Sequence, residues 1–197
     1  MDSFMHCCKK VSLFIAFMMT CLLALASDHQ VIVKSADLKA SGEAYMLNAD
    51  LEISLGQTVE EAINKGVPVE FVYEFKLVSP RAFWFDKVVV KTSTRITVSY
   101  YALSRQYLVK QGERQTSHEI LREAMIELVQ LYDWGVFERT LIEKGRDYQA
   151  ILSMHLDDSQ LPKAIQVKAI RSEDWHLASE DFVWEPKVEW LPENMNQ

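Results

Sequence analysis

The amino-acid sequence predicts a mainly β protein with two helices, folded as an antiparallel β-sandwich or a strongly curved sheet that is covered by short helices. Hydrophobic and polar residues alternate with a period of two over several long segments, which is typical of strands with one buried face. Two segments carry helix-start signals. The composition is that of an ordinary globular chain, since 49% of the 197 residues are hydrophobic and only 6 are Gly and 5 are Pro.

The first 26 residues are predicted to be a secretory signal peptide. Lys9 and Lys10 supply the positive charge, residues 11–25 carry no charge, and the small-x-small pattern Ala24-Leu25-Ala26 precedes Ser27. An apolar segment of this length is shorter than the roughly 20 residues that span a bilayer, so cleavage after Ala26 is the favoured interpretation. The alternative is an uncleaved signal that anchors the domain in the inner membrane.

The three cysteines support export to the periplasm. Cys7, Cys8 and Cys21 all lie inside the predicted signal peptide, so the mature fold needs no disulfide. This suits a bacterial envelope better than the disulfide-rich domains of eukaryotic secretion. The sequence after the signal predicts a single β-rich domain over residues 27–190 and a mobile tail over residues 191–197.

Seven or eight strands are expected in this domain. The clearest alternation covers residues 47–55, 69–77 and 87–100, and weaker alternation covers residues 31–38, 107–111, 148–156 and 164–170. Residues 87–100 form the longest such segment. A strand of that length must bend or take part in two sheets.

The two predicted helices begin at capping boxes. Thr58 to Glu61 matches the first, and Gly66 and Pro68 are expected to end that helix. Thr116 to Glu119 matches the second, which places His118 on a helix surface and an apolar stripe over residues 120–132.

Several classes of chemistry are not predicted. The net charge of −7 argues against nucleic-acid binding, which depends on clustered Lys and Arg. The histidines after the signal are widely spaced, and no Gly-rich phosphate loop or nucleophile elbow occurs, so we expect no metal, no cofactor and no catalytic residue. The formal candidates for a pair of hydrolase carboxylates are Glu43, Glu70, Glu74 and Asp86. Each is better explained by a strand surface or a turn.

A set of aromatic and charged residues forms the candidate binding surface. Trp, Tyr and Arg are enriched at interface hot spots. The candidates are Arg81, Trp84, Asp86, Arg105, Tyr107, Trp175 and Trp190. The competing interpretation is packing in the core, which we favour for Trp84, Tyr107 and Trp175, whereas the two interpretations are about balanced for Trp190.

The same segments resemble a known family. The residues that carry the resemblance are Arg81, Trp84 and Asp86, with residues 103–107, 156–157, 161–163 and 174–179. The chain resembles exported proteins of Gram-negative bacteria that share a domain of unknown function and are often called proline-rich signal-peptide proteins. With 5 Pro, this chain does not fit the label. That family has no established catalytic residues, so none are transferred.

The resemblance also suggests a partner. Genes of that family commonly lie beside a membrane sensor histidine kinase of the nitrogen-regulation type, which implies an accessory role in envelope signalling. We therefore expect a periplasmic, non-enzymatic interaction or ligand-binding module whose partner is a sensor kinase or another envelope protein. Membrane contact is expected only through an uncleaved signal. The alternatives are an envelope polysaccharide or peptide hydrolase and a structural envelope assembly protein.

Overall fold

The described part of the protein is built around two antiparallel sheets. The structure, a computed structural model, describes residues 31–83, 85–169 and 173–190. The predicted signal peptide, the predicted tail and Trp84 lie outside the described residues. The strands are β1 (Val31–Ser41), β2 (Ala44–Ile53), β3 (Val69–Ser79), β4 (Lys87–Tyr101), β5 (Gln106–Gln111), β6 (Arg114–His118), β7 (Gln130–Glu138), β8 (Gln149–Asp157) and β9 (Phe182–Trp184).

The strand order separates a small sheet from a large one. The small sheet has the order β1-β2-β7, and the large sheet has the order β6-β5-β4-β3-β8-β9. Within the described residues, three α-helices accompany them: α1 (Gln57–Asn64), α2 (Leu121–Val129) and α3 (Lys163–Ala169). The predicted fold class is confirmed, with nine described strands and one helix more than expected. No helix in the described part of the chain is long and apolar enough to cross a membrane.

Strand β3 lies at the centre of the large sheet and supplies much of the core. Its alternation places Phe71, Tyr73 and Phe75 in the interior, where all three are fully buried. The Phe75 ring lies 6.1 Å from that of Phe137 and 6.5 Å from that of Trp134, both on β7. Aromatic contacts of this kind join the two sheets.

The long strand β4 sets the positions of two hairpins. Its whole length was predicted from the alternation, and it pairs with β3 along its first part and with β5 along its last part. The β3–β4 connection therefore lies at one end of β4 and the β4–β5 connection at the other. Fifteen residues of strand separate these ends by about 45 Å.

Both predicted capping boxes are wrong. Gly56 precedes α1 without a side-chain cap, and Thr58 lies inside the helix, where its hydroxyl contacts Asp174. Thr116 belongs to β6 and pairs with Val109, so its backbone groups bond within the sheet. Helix α2 therefore begins later than predicted, at Leu121. The predicted end of α1 is confirmed, because Gly66 adopts a left-handed φ of 84°.

Two further segments differ from the prediction. Residues 164–170 alternate weakly, but Lys163–Ala169 is a helix that begins after Pro162, whose carbonyl accepts a bond from the Ile165 amide at 2.7 Å. Residues 131–132 were predicted in the second helix but lie in β7, where Leu131 pairs with Ala49 of β2. Sheet pairing between residues distant in sequence overrides the local pattern in that strand.

Candidate functional site

The fold distributes the predicted binding residues over separate regions. The β3–β4 connection carries Arg81 and Asp86, while Arg105 and Tyr107 lie at the opposite end of β4. Trp175 is buried, and Trp190 lies near Lys144. These residues therefore do not form one surface.

One end of the large sheet gathers three segments that we call the aromatic end: residues 80–87 without the undescribed residue 84, residues 143–149 and residues 185–190. Lys87 Nζ lies 3.7 Å from Glu143 Oε1, which joins the first two segments. Lys144 Nζ lies 5.3 Å from the centre of the Trp190 ring, which joins the second and third. Segments far apart in the sequence thus meet at this end.

Two phenylalanines at the aromatic end project into solvent. We call the described residues of the β3–β4 connection, which are residues 80–83, 85 and 86, the tip, and within it Phe83 is 97% exposed and Phe85 is 94% exposed. Pro80 has no amide to continue the β3 ladder, and the Arg81 amide donates to Asp86 Oδ1 at 3.3 Å. The tip is therefore a short loop, closed at its base, that presents two apolar rings.

The binding residues predicted in this segment did not include these two phenylalanines. The candidate list took Arg81, Trp84 and Asp86 from this segment because Trp and Arg dominate interface hot spots. Their position in the sequence was the available signal, since both phenylalanines lie between two predicted strands. A hydrophobic residue in such a connection has few partners in its own sheet.

Trp190 is held at the surface beside Lys144. The preceding residue, Glu189, donates its amide to the Tyr45 hydroxyl at 2.7 Å, which fixes this segment against β2. Trp190 is 42% exposed, and the Lys144 ammonium stands over its ring as a cation–π contact. Trp190 is thus partly packed and partly accessible.

A polar cleft of about 550 Å³ opens at the same end. Its lining includes the carboxylates Asp147 and Glu185 and the guanidinium of Arg146. Arg146 Nε lies 2.5 Å from Glu143 Oε2, and the Glu143 amide donates to the Tyr148 hydroxyl at 2.9 Å. The cleft has the size and polarity to accommodate a small polar ligand.

At the opposite end of β4 a helix packs beside Tyr107, while the hairpin turn that includes Leu103 stays exposed. We call this the covered end, which consists of residues 100–107 and α1. The Tyr107 hydroxyl donates to Asn64 Oδ1 of α1 at 2.7 Å, and the Tyr107 and Tyr100 ring centres lie 5.0 Å apart. Partial burial, together with Tyr100 and Glu60, raises the pKa of the Tyr107 phenol above its ordinary value. Tyr107 therefore connects the helix to the sheet, while Arg105 is an exposed turn residue with a φ of 57°.

Trp175 supports the covered end from inside. It is 3% exposed, which confirms the packing interpretation, and its Nε1 has no hydrogen-bond partner among the described atoms. The neighbouring Asp174 accepts bonds from the Thr58 hydroxyl and, at 3.3 Å, from the Thr58 amide. A carboxylate distant in sequence thus satisfies the first turn of α1 and interacts favourably with the helix dipole.

His118 lies in a second polar cluster, on β6 rather than on a helix as predicted. One carboxylate oxygen of Glu127, on α2, lies 2.7 Å from both His118 Nε2 and Thr116 Oγ1. Arg114 lies 3.7 Å from the other oxygen. These half-buried contacts hold α2 against the edge strand β6.

The formal hydrolase carboxylates have other partners. Glu70 Oε1 lies 3.1 Å from Arg95 Nε, and Glu74 Oε2 lies 3.6 Å from Lys91 Nζ. Both pairs lie on the outer face of the large sheet. Glu43 belongs to the β1–β2 turn, where its carbonyl accepts from the Arg139 amide. Across the residues that the structure describes, no group of three His, Cys, Asp or Glu side chains is placed to hold a metal ion.

The comparison with protein families identifies the domain. The model of the family described as Domain of unknown function (DUF4390) matches residues 28–185, so the chain belongs to this family. This confirms the resemblance as far as the domain is concerned; export and a neighbouring kinase stay predictions. The chain matches no curated protein and no solved structure.

Proposed function

We propose that this chain is a non-enzymatic interaction module of the bacterial periplasm that works through its aromatic end and is accessory to a membrane sensor kinase. The observation that carries the proposal is the exposure of Phe83 and Phe85 at the tip. Burying a Phe side chain is worth roughly 1.5–3 kcal/mol, and the described fold gains almost none of this from either ring. A binding partner that covers the tip recovers that energy.

The predicted signal peptide gives the compartment in this proposal. A cleaved signal releases the domain into the periplasm, whereas an uncleaved signal tethers it and makes its encounter with a membrane partner effectively intramolecular. N-terminal sequencing of the protein from envelope extracts distinguishes the two forms. A start at Ser27 supports release, and a start at the initiator Met supports the tether.

Photocrosslinking tests the interaction. A photoreactive phenylalanine analogue is placed at position 83 or 85, and the same analogue at Leu103, which is 85% exposed on the hairpin at the covered end, serves as the matched control. We expect adducts with the sensor kinase from the tip positions and none from position 103. Equal adduct yields at all three positions, or unchanged kinase output in a deletion strain, would overturn the proposal.

A second candidate is a hydrolase of envelope polysaccharide or peptide, and the polar cleft is the observation that favours it. Asp147 and Glu185 both line this cleft, and a pair of carboxylates is what glycoside hydrolysis requires. In this case Asp147→Asn and Glu185→Gln each abolish release of soluble fragments from purified envelope polymer. Fragment release that persists in both variants, or that is absent from the unaltered chain, excludes this candidate.

A further inference from the structure

We infer that the aromatic end docks on the surface of a phospholipid bilayer, with Phe83 and Phe85 inserted among the lipid headgroups. The inference rests on the proposed function, which places the domain beside a membrane. It departs from the expectation that the membrane is reached only through an uncleaved signal.

The shape of the tip favours a lipid surface over a shaped protein pocket. Phe83 and Phe85 are almost fully exposed, so they project from the molecule and do not line a groove. A projecting pair of rings requires no complementary cavity when it enters a bilayer, because the boundary between headgroups and acyl chains adapts to the side chain. Apolar side chains of interfacial proteins enter this boundary by roughly 5–10 Å.

The surrounding residues have the composition of a membrane interface. Arg81 and Lys87 flank the two phenylalanines in the sequence, and Lys144 stands over the half-exposed Trp190. Aromatic rings concentrate at the headgroup level of membrane proteins, and long basic side chains can place their stems in apolar surroundings while the charge stays in water. The aromatic end combines both kinds of residue.

The charge distribution indicates which end of the domain faces the membrane. The whole chain has a net charge of −7, whereas the three segments of the aromatic end carry five basic and five acidic side chains. The excess negative charge therefore lies elsewhere in the chain. A membrane that contains anionic phospholipids repels acidic surfaces within about a Debye length, so the neutral end approaches it most easily.

The expected binding is weak and reversible. Two inserted phenylalanines contribute a free energy similar to that of a single short acyl anchor, which gives only marginal membrane binding. Weak, reversible binding of this kind concentrates a periplasmic domain at the membrane surface and lets the tip exchange between lipid and a membrane-embedded kinase. A tethered form binds the membrane surface more tightly still, because the tether raises the effective concentration of the domain there.

Vesicle co-sedimentation tests this inference on the chain as recovered from cells. The vesicles contain phosphatidylethanolamine and phosphatidylglycerol, and the variant is Phe83→Ser/Phe85→Ser. We expect the unaltered chain to sediment with the vesicles and the variant to bind about 100-fold more weakly, the factor that corresponds to the loss of two buried Phe rings. Leu103→Ser, on the opposite hairpin, is the matched control and should bind as the unaltered chain does.

A quenching measurement adds a positional readout. Trp84 lies between the two phenylalanines in the sequence, so lipids brominated near the headgroup should quench part of the tryptophan fluorescence of the unaltered chain. The loss of this quenching in Trp84→Phe assigns it to the tip. Quenching that is unchanged in this variant would count against insertion of the tip.

The outcomes separate the inference from the proposed function. Absence of vesicle binding, or equal binding by the tip variant, overturns the inference, while kinase adducts at positions 83 and 85 would still support the proposed function. Loss of both vesicle binding and adducts overturns both. Binding that survives high salt supports insertion of apolar side chains, whereas binding that disappears in salt indicates adsorption by charge alone and contradicts it.

Discussion

The two ends of strand β4 carry similar aromatic side chains, yet the fold uses them in opposite ways. At the covered end, Tyr107 bonds to Asn64 of α1 and packs beside Tyr100. At the tip, Phe83 and Phe85 remain in solvent, and no described segment covers them. The two ends differ because a helix packs beside the tyrosines at one of them. A covering element, more than aromatic content, therefore decides whether aromatic side chains stabilise the fold or remain available for binding.

The largest expected effect is at the covered end, from Trp175→Ala. This side chain is buried, so its removal leaves a cavity and should lower the free energy of unfolding by about 3–5 kcal/mol. Urea unfolding measures the loss. The matched control is Trp175→Phe, which keeps most of the ring and removes the Nε1 hydrogen, a donor with no partner among the described residues, and it should lose much less stability. Near-wild-type unfolding of the Ala variant would mean that this end is not packed as described.

The second effect concerns Tyr73, between the two ends, and depends on pH. Burial raises the pKa of its phenol well above the ordinary value, so the folded state retains a proton that the unfolded state loses above about pH 10. The stability from this group is fully present below pH 10 and falls by about 1.4 kcal/mol per pH unit above it.

The control for this pH effect is Tyr73→Phe. It removes the 2.5 Å bond from the hydroxyl to the Leu128 carbonyl, which should lower stability by about 1 kcal/mol at neutral pH. Urea unfolding between pH 8 and 11 (roughly the range that brackets the ordinary tyrosine pKa) should give a shallower decline for the variant. Parallel declines for the two proteins would contradict the buried, protonated phenol.

The strands were predictable because their alternation reports a buried face directly. The starts of α1 and α2 were not. Thr116 to Glu119 matches a capping box, but pairing with β5 makes Thr116 part of a sheet, and α1 is capped from Asp174, far away in the sequence. Local signals cannot include partners that only the fold brings close.

The candidate site was predicted less well than the fold, for the same reason. The polar cleft combines Pro80 with residues 146–149 and with Glu185, Pro186 and Val188, and no sequence spacing links these segments. Phe83 and Phe85 were visible in the sequence, but their exposure depends on the absence of a covering element at that end of the described structure. The residue type therefore suggests what a side chain could do, but its packing in the fold determines whether it is exposed.

A third effect tests how the helix is held at the covered end. Asp174→Ala removes the acceptor for the Thr58 hydroxyl and amide, which should lower stability by about 1 kcal/mol, as for loss of an ordinary N-cap. The partner variant is Thr58→Val, and the double variant completes a thermodynamic cycle. If the two residues interact as described, the double variant loses less than the sum of the single losses. Strictly additive losses would show that the contact contributes nothing.

The smallest expected effect on stability is at the tip, and it completes the comparison. Phe83→Ser/Phe85→Ser should change the free energy of unfolding by less than about 0.5 kcal/mol, because neither ring has packing to lose. Urea unfolding without lipid measures this directly. A loss above about 1 kcal/mol would mean that both ends of β4 are packed alike and that the tip has a structural role. If stability is unchanged, the fold of the variant is intact. Any loss of binding in the same variant is then caused by the absence of the two phenylalanine side chains.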